Sequence, residues 1–496
     1  MEINQSKLQR QLKAIDNWVN IGKGVGRIIQ PTGFGKTYEE LLIADKYHNK
    51  HYNDVILFIA NNEAGKNNFY KALNNLKHLF DNIIRDNLII TTKNQILTNL
   101  HFYESRTFNL VIVDEIHDFV SEQAYGIIAK KYFNYKFIVG FTGSDPTDKD
   151  KKKLDAYIPV VDFISYDEAI ANKWISDFTE YNVALNLTKE DQVVYDTFSE
   201  YIRDTLNLVD NNYLTVINMG KNMYNKLLGR VVKYDEICEK VAMENNWTRD
   251  LDLSNGYYAN INKVFSPSNL HERAKTFLLY VERRNALMDA NILKIQAILD
   301  TVRLLKGKKI IIFNNQIEVI DILHLLINNS IWNVRKYKSL IDIRGAIGYH
   351  TMLSTNDTVV KYHSKLKSTQ ILDHENGGYL RYKNGKIKQF GTDAQKSFVM
   401  EQISSGRAKV ILAVKGLDSA LNVEDLDASI ITGGSTNPLQ QTQRKGRSLR
   451  ISEYKKLAYV INIYFANTRD EQKLNQRQKE STNKIVRINN VNEILI

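Results

Sequence analysis

The feature that most constrains this chain is a glycine-rich loop between an apolar strand and a helix. The strand-like run Arg27–Gln30 leads into Pro-Thr-Gly-Phe-Gly-Lys-Thr at residues 31–37, and a helical pattern follows over Tyr38–Tyr47. Glycines at such a turn let backbone N–H groups approach phosphate oxygens, and a lysine followed by a hydroxyl residue can bind the β- and γ-phosphates and Mg²⁺. The first position of this pattern usually carries glycine, where this chain has Gln30. Although a structural turn can carry a similar sequence, we expect a nucleoside triphosphate to bind through Thr32, Gly33, Gly35, Lys36 and Thr37.

An acidic pair stands at the end of a later apolar strand. Leu110–Val113 is followed by Asp-Glu-Ile-His at residues 114–117, a DExH sequence. The carboxyl ends of neighbouring parallel strands meet at one edge of a sheet, so these acids would face the same ligand as the loop. We expect Asp114 and Thr37 to hold Mg²⁺, and Glu115 to orient and deprotonate the attacking water. Two acidic residues after a strand are often only the solvent-exposed start of a helix. The presence of the glycine-rich loop earlier in the chain disfavours that interpretation.

Strand-sized apolar runs alternate with helical stretches in two separate parts of the chain. Continuous β-branched runs of this kind are typical of parallel sheets that are covered on both faces. The predicted fold class is therefore α/β, with two parallel-sheet domains and a mainly helical insertion. The predicted parts are a first domain at 1–150, a crossover and start of the second domain at 151–187, the insertion at 188–303, the second domain at 304–467 and a C-terminal tail at 468–496. The tail is polar enough to be a frayed helix.

A short basic hairpin is predicted inside the second domain. Lys-Asn-Gly at residues 383–385 separates Tyr379–Tyr382 from Lys386–Phe390, and Asn-Gly between two short strands is a strong hairpin signal. Its basic side chains could hold phosphates while an aromatic ring stacks on a terminal base pair. Charged residues also protect exposed strand edges from aggregation, which is the plainer interpretation. The predicted nucleic-acid contacts are Arg381, Lys383, Lys386 and Lys388.

The composition is that of an ordinary globular protein with a basic excess. The 67 Lys and Arg residues outnumber the 56 Asp and Glu residues, and the net charge of +11 suits a polyanionic partner. The single cysteine, Cys238, excludes an internal disulfide and a zinc ribbon, as expected in a reducing cytosol. No apolar run reaches the length of a membrane span. We expect a cytoplasmic location, in the host cytoplasm if the chain is phage-encoded, and no membrane partner.

A segment of the second domain completes a resemblance to the superfamily-two helicases. Residues 443–450, Gln-Arg-Lys-Gly-Arg-Ser-Leu-Arg, fit the family's Q-x-x-G-R-x-x-R pattern at every defined position. They follow the glycine-rich loop and the DExH sequence at family-like spacing. The resemblance covers most of the chain except the insertion, and it implies two RecA-like domains that hydrolyse ATP with Mg²⁺ in the cleft between them. It also implies catalytic roles for Gln443, Arg447 and Arg450, with the two arginines pointing at a γ-phosphate held by the first domain.

Two weaker likenesses to family motifs concern the nucleotide. Residues 8–11 resemble the adenine-reading R-x-x-Q element, with Leu8 in place of the arginine. Residues 413–423 resemble the fifth motif, with several departures from its usual residues. The resemblance therefore implies that Gln11 and Asn422 contact the nucleotide.

Two further likenesses concern nucleic acid and coupling. Residues 91–95 resemble the family's strand-contacting element, and residues 141–146 resemble the LTATP element that couples hydrolysis to domain movement. Gly143 and Ser144 replace alanine and threonine in the second of these. The implied residues are Thr91, Thr92 and Lys93 for nucleic acid, and His117, Thr142 and Ser144 for coupling.

Within the superfamily the chain looks similar to the XPB-like branch and to phage branch-migration helicases. The segments that carry this likeness are Tyr157–Ile175 and the ending Lys455–Thr468 with Asp470 and Glu471. That branch mostly acts on DNA, so the implied partner is single-stranded, forked or branched DNA, with RNA as an alternative. The runner-up functions are the motor subunit of a restriction or RNA-processing system and an ATP-switched binding scaffold. Glu115 and the arginine pair disfavour the scaffold, because a scaffold needs no hydrolysis.

Overall fold

The structure, a computed structural model, describes most of the chain. The described residues are 4–51, 53–79, 87–143, 148–221, 223–225, 230–232, 236, 238, 241, 248–250, 257–260, 263–265, 267–348, 353–363, 370–414, 426–433, 457–478 and 484–495. Two compact units are present, one made of Met1–Ala184 with Ile295–Ile496 and the other of Leu185–Lys294.

The first part of the larger unit is built on a six-stranded parallel sheet. Its strands are β1 Val25–Ile29, β2 Ile56–Ala60, β3 Leu88–Thr92, β4 Thr107–Val113, β5 Asn134–Thr142 and β6 Val160–Phe163. They lie in the order β3-β2-β4-β5-β1-β6, and every neighbouring pair is parallel. The helices are α1 Gln5–Asn20, α2 Lys36–His48, α3 Glu63–Asn75, α4 Lys93–Thr98, α5 Leu100–Glu104, α6 Glu122–Ile128 and α7 Asp148–Asp155.

The strands of this sheet are apolar throughout because both of its faces are covered. On β2, Ile56 and Phe58 enter one buried cluster, whereas Leu57 and Ile59 enter another. The first cluster also contains Trp18 of α1, and the second contains residues of α6. A strand buried on both faces reads as a continuous apolar run rather than an alternating one, which is the pattern of the sequence. The predicted α/β class is confirmed.

The chain then passes through α8 Tyr166–Ala171 and β7 Phe178–Leu185 before it enters the smaller unit. The described elements of the smaller unit are α9 Lys189–Asn207, α10 Tyr213–Met219, β8 Met223–Asn225, β9 Arg230–Val232, β10 Thr248–Asp250, β11 Tyr257–Asn260, β12 Lys263–Phe265 and α11 Pro267–Asp289. The helices enclose a core that includes Ile202, Val216 and Phe277. Two small antiparallel sheets, β8-β9 and β10-β11-β12, were not anticipated. Strands of three or four residues are too short to leave an alternating pattern.

The second parallel sheet contains strands from three separate stretches of sequence. After β7, its members are β13 Ile310–Asn314, β14 Val359–Tyr362, β15 Val410–Val414, β16 Ala428–Ile431, β17 Ala458–Phe465 and β18 Ile485–Ile488. The order is β14-β15-β13-β16-β17-β7-β18. The accompanying helices are α12 Ile292–Leu304, α13 Ile317–Asn328, α14 Leu340–Ile347, α15 Thr392–Ser404 and α16 Arg469–Gln478.

The C-terminal tail is part of this sheet, although its polar sequence suggested a frayed helix. Its strand β18 pairs in parallel with β7. Gln478 of α16 donates from Nε2 to Oε1 of Glu180 on β7 at 2.6 Å, and Asn462 of β17 donates to the same oxygen at 2.8 Å. Because these buried polar groups satisfy one another, the tail is held in place without an apolar pattern.

The predicted basic hairpin is present as a turn with isolated bridges rather than two continuous strands. The Tyr382 amide donates to the Lys386 carbonyl at 2.8 Å, and Gly385 has a φ of 79°, as an Asn-Gly turn requires. The bridge between Arg381 and Ile387 is isolated. The hairpin residues are mostly exposed, so little packing supports a longer ladder.

A helix needs about 20 consecutive, mostly apolar residues to cross the hydrocarbon core of a bilayer. In the part of the chain that the structure describes, no helix is both long enough and apolar enough to cross one.

Candidate nucleotide-binding site

The glycine-rich loop runs from the end of β1 to the start of α2, as the sequence predicts. Gly33 and Gly35 have φ angles of 92° and 103°, in the left-handed region that residues with a Cβ disfavour. Gly35 precedes Lys36 at the N-terminus of α2 and caps the helix without a side chain. The first amides of a helix have no carbonyl partner in a preceding turn, and with the helix dipole they favour an anion. The loop therefore has the geometry to bind phosphate.

Gln30 replaces the usual first glycine of the loop pattern, and its side chain points into the protein. It is fully buried, and its Nε2 donates to Oε2 of Glu39 on α2 at 2.6 Å. Burial raises the pKa of Glu39 to about 8, and the hydrogen bond from Gln30 opposes that rise. The Gln30 side chain thereby joins β1 to α2 on the inner side of the loop.

Gln11 of α1 lies against the same loop. Its side chain is 3% exposed, and its Nε2 donates to the carbonyl oxygen of Gly35 at 3.3 Å. A Cβ added at Gly35 would lie 3.3 Å from that nitrogen, so the glycine allows the close approach. The structure brings Gln11 to the loop, while its assignment to adenine stays a prediction.

Lys36 and Glu115 form an ion pair at the centre of the site. Lys36 Nζ lies 2.8 Å from Glu115 Oε1, and the two side chains are 12% and 19% exposed. Burial lowers the pKa of Lys36, but Glu115 and Asp114 outweigh it, so the pKa is raised. Glu115 also has a φ of 48°, a conformation that is uncommon outside glycine and often found at functional sites. The residues assigned to phosphate binding and to water activation are thus in contact.

The carboxyl groups of Asp114 and Glu40 lie close to Lys36, in addition to that of Glu115. Burial, and then Glu115, raise the pKa of Asp114 to about 7. Burial, and then Asp114, raise the pKa of Glu40 well above its ordinary value. Within the described ranges, His, Cys, Asp and Glu form no group of three that could hold a metal by itself. Mg²⁺ usually binds through one or two protein oxygens and substrate phosphates. Asp114 and the hydroxyl of Thr37, in the first turn of α2, fit that pattern.

His117 connects the DExH turn to the end of β5. Its Nδ1 is hydrogen-bonded to Thr142 Oγ1 at 2.8 Å and lies 3.3 Å from Glu115 Oε2. His117 and Thr142 are both buried. Two of the three residues that the sequence assigned to coupling therefore touch each other, and His117 also touches Glu115, while their role in coupling stays a prediction.

Gly143 lets β5 approach the glycine-rich loop closely. A Cβ added at Gly143 would lie 3.1 Å from Thr32 Oγ1 and 3.7 Å from Lys36 Nζ. The former distance is tighter than ordinary van der Waals contact. An alanine at position 143, as in the LTATP pattern, would crowd the Thr32 hydroxyl, and Gly143 avoids that contact.

Two residues near the site were not predicted from the sequence. Glu40 lies four residues after Lys36 on α2, so helical spacing could have placed both side chains on one face. Tyr166 of α8 has its hydroxyl buried near Lys36 and Glu115. No local signal marks Tyr166, because it reaches the loop from a distant part of the chain.

Thr91 and Thr92, predicted to contact nucleic acid, have partners inside the protein. Both are 2% exposed. Thr91 Oγ1 is hydrogen-bonded at 2.8 Å to the hydroxyl of a buried tyrosine in α5, and Thr92 Oγ1 accepts from the Gln95 amide at 3.2 Å. Lys93 donates from Nζ to the Asp118 carbonyl at 3.2 Å. These bonds give the segment a structural role, and its contact with nucleic acid stays a prediction.

The basic residues of the hairpin are placed differently. Arg381, Lys383 and Lys386 are exposed, whereas Lys388 lies over the ring of Tyr382 at 5.4 Å from Nζ to the centroid. The exposed side chains are accessible to a polyanion. The residues that fall outside the described ranges are Ser144, Asn422, Gln443, Arg447 and Arg450, and their assignments stay predictions.

Comparison with known proteins agrees with this geometry. Residues 6–145 match the family model described as "Type III restriction enzyme, res subunit". The chain is similar in fold to the Hef helicase domain of Pyrococcus furiosus, with a TM-score of 0.51 and 14% sequence identity, over 95% of this chain and 98% of that one. No curated protein sequence matches the chain. The region matched by the family model contains the loop, the DExH turn and Thr142, and the similarity to the Hef helicase domain shows a shared fold.

Proposed function

We propose that this chain is an ATP-dependent DNA helicase or translocase that unwinds or branch-migrates forked or junction DNA. The observation that carries the proposal is the contact between Lys36 and Glu115 beside a loop shaped for phosphate. A lysine that binds phosphate and a carboxylate that activates water are the two groups that ATP hydrolysis requires of one domain. Their position at the carboxyl ends of parallel strands is where ligands bind in open α/β sheets.

The chemistry follows from the positions of these groups. The β- and γ-phosphates take the Lys36 ammonium and the first amides of α2 as ligands, and Glu115 releases Lys36 as they enter. Glu115 then orients a water molecule and accepts its proton as the oxygen attacks the γ-phosphorus, while the bond from that phosphorus to the β–γ bridging oxygen breaks and ADP leaves. Asp114 and Thr37 would hold Mg²⁺, which when bound would offset negative charge on the phosphate oxygens.

The remaining catalytic groups come from the second domain. Arg447 and Arg450 stabilise the charge on the transferred phosphoryl group, as the Q-x-x-G-R-x-x-R resemblance implies. An arginine supplied in this way accelerates hydrolysis by about 10³–10⁵. The contact of His117 with Glu115 and Thr142 relays the state of the site toward the loop after β5.

Nucleic acid is the proposed partner because of charge and exposed basic groups. The excess of eleven positive charges favours a polyanion, and the hairpin presents Arg381, Lys383 and Lys386 to solvent. An exposed hairpin of this kind could separate strands or grip a junction. DNA is favoured over RNA by the resemblance to the XPB-like branch.

A second candidate is the motor subunit of a restriction system. It is favoured by the match of residues 6–145 to the type III restriction enzyme model. Such a motor would share the nucleotide site and would move along duplex DNA without separating its strands.

The test is ATP hydrolysis measured with single-stranded, duplex, forked and four-way-junction DNA and with RNA. We expect the greatest stimulation by forked or junction DNA, together with strand separation or branch migration. Stimulation by duplex DNA without strand separation would instead support the restriction motor. Stimulation by RNA alone, or by no nucleic acid, would refute the proposal.

Two controls make the result specific. Lys36→Ala should abolish hydrolysis, while Lys46→Ala, an exposed lysine on the same helix, should leave it unchanged. Affinity for duplex DNA should fall with salt, with a slope of about −0.9 per phosphate contact. An affinity that does not respond to salt would contradict a role for the basic side chains.

A further inference from the structure

The segment of residues 164–175, here called the connecting segment, packs directly on the glycine-rich loop. Phe34 of the loop is fully buried, and its ring meets the Trp174 ring edge-on with centroids 5.5 Å apart. Ile164, Ala169 and Ile175 complete this small core. The Phe34 side chain therefore fixes the loop to the connecting segment, and the loop cannot shift far without disturbing that core.

Polar contacts strengthen the same junction. Lys7 of α1 donates from Nζ to the Trp174 carbonyl at 3.3 Å and to the Gly33 carbonyl at 3.5 Å. Arg10 donates from Nε to Glu168 Oε1 at 3.0 Å, and its side chain is 11% exposed. These bonds hold α8 against the first domain.

The connecting segment also packs on the second sheet. Tyr166 and Ile170 contact the small core around Phe34 and, in addition, the core that contains Phe313 of β13 and Val360 of β14. The side chain of Tyr166 thus lies between the phosphate loop and the second sheet. A movement of the Tyr166 ring would therefore disturb the packing of both the phosphate loop and the second sheet.

The hydroxyl of Tyr166 is buried and has no hydrogen-bond partner among the described residues. The same holds for Thr32 Oγ1 in the loop. Burial raises the pKa of Tyr166, and the Thr32 amide and hydroxyl lie close enough to oppose that rise, although no hydrogen bond with acceptable geometry joins the two residues. A buried hydroxyl without a partner costs about 1–3 kcal/mol, so its retention suggests that a ligand completes it.

The surroundings of this hydroxyl identify which part of a nucleotide it would meet. Lys36 and Glu115 both act on Tyr166 electrostatically. Thr32, which lies beside this hydroxyl, is also close to Lys36, because a Cβ added at Gly143 would lie 3.1 Å from Thr32 Oγ1 and 3.7 Å from Lys36 Nζ. Glu115 serves the water that attacks the γ-phosphorus, so a group beside it and Lys36 lies at the γ end of the site rather than near the base.

We propose that the Tyr166 hydroxyl donates a hydrogen bond to the γ-phosphate and so distinguishes ATP from ADP. This inference rests on the proposed function, because it needs ATP bound at the loop. This hydrogen bond would give the buried hydroxyl the partner that it lacks among the described residues. Since the ring also packs on the second sheet, the connecting segment transmits the presence of the γ-phosphate to that sheet.

The test is Tyr166→Phe, which removes one oxygen and keeps the ring. Affinity for a non-hydrolysable ATP analogue and for ADP is measured by titration with Mg²⁺, with Tyr125→Phe as the matched control. Tyr125 lies on α6 in the first domain, and its hydroxyl donates to the Lys153 carbonyl at 3.2 Å. A hydrogen bond to a charged group should be worth about ten-fold or more in analogue affinity, whereas ADP affinity should change less than about two-fold.

Thermal unfolding without nucleotide gives an independent readout. Tyr166→Phe should unfold at the same or a higher temperature than the wild type, because it removes a buried group that has no partner. A lower unfolding temperature would show that the hydroxyl has a structural partner and would overturn the inference. Unchanged analogue affinity, or equal losses for analogue and ADP, would overturn it as well. If the wild-type chain binds neither nucleotide, the proposed function itself fails, which is a separate outcome.

Discussion

Replacement of Glu115 by Gln should separate nucleotide binding from hydrolysis. Glu115 Oε1 lies 2.8 Å from Lys36 Nζ, and both side chains are mostly buried. Lys36 can bind a phosphate group of ATP only after that group displaces the Glu115 carboxylate. A hydrogen bond between charged groups contributes about 1.5–3 kcal/mol, and one to a neutral amide about 0.5–1.5 kcal/mol. The substitution therefore lowers the cost of releasing Lys36 by about 1–1.5 kcal/mol, which corresponds to roughly five- to fifteen-fold tighter binding of ATP.

Hydrolysis should change in the opposite direction. The amide cannot accept the proton of the attacking water, and loss of a general base reduces turnover by about 10²–10⁴. Both quantities can be measured on one preparation, by titration with a fluorescent ATP analogue and by phosphate release with saturating DNA. Glu122→Gln on α6, an exposed acid of the same domain, is the matched control and should change neither.

Either half of the result can refute the reasoning. ATP affinity equal to or weaker than that of the wild type would show that Glu115 does not compete for Lys36. Turnover within about ten-fold of the wild type would show that another group activates the water.

Other perturbations test separate parts of the molecule. Arg447→Ala or Arg450→Ala should reduce turnover by about 10³ or more with little change in ATP affinity. Unchanged turnover would show that the two arginines are ordinary surface residues. Glu39 has a pKa of about 8 against 4.5 unfolded, so its neutral form is favoured and its contribution to stability is lost as pH rises from about 4.5 to 8. Glu39→Gln should therefore raise the unfolding temperature relative to the wild type by an amount that grows from pH 5 to pH 8; a constant difference would contradict burial of the neutral acid. Deleting residues 377–391, with a short Gly-Ser linker in their place, should leave single-strand-stimulated hydrolysis largely intact while unwinding or branch migration collapses. Loss of both activities would indicate a folding role, and loss of neither would leave the hairpin without function.

Much of the candidate nucleotide-binding site was predictable because its chemistry is local in sequence. The loop at residues 31–37 and the acids at 114 and 115 each follow an apolar strand, and parallel strands bring such ends to one edge. The contact between Lys36 and Glu115 follows from that rule. The helical and strand patterns of the two sheets are likewise set by short stretches of residues whose burial on both faces dictates their composition.

Other parts depended on residues that are far apart in the chain. The role of Gln30 is clear only when Glu39 is seen beside it, and the tail strand β18 is held by polar groups from β7 and β17 that leave no apolar pattern. The short strands of the insertion were missed for a similar reason, since three residues carry no periodicity.

The sequence by itself determined the order of the phosphate loop, the DExH turn and the strands that carry them, because glycine conformation, charge and apolar periodicity act over a few residues. Only the tertiary structure decided that Phe34 would dock against Trp174 and that the Tyr166 hydroxyl would be buried beside the loop. Those contacts join segments that are more than a hundred residues apart. Their energy comes from packing of surfaces that no local pattern encodes.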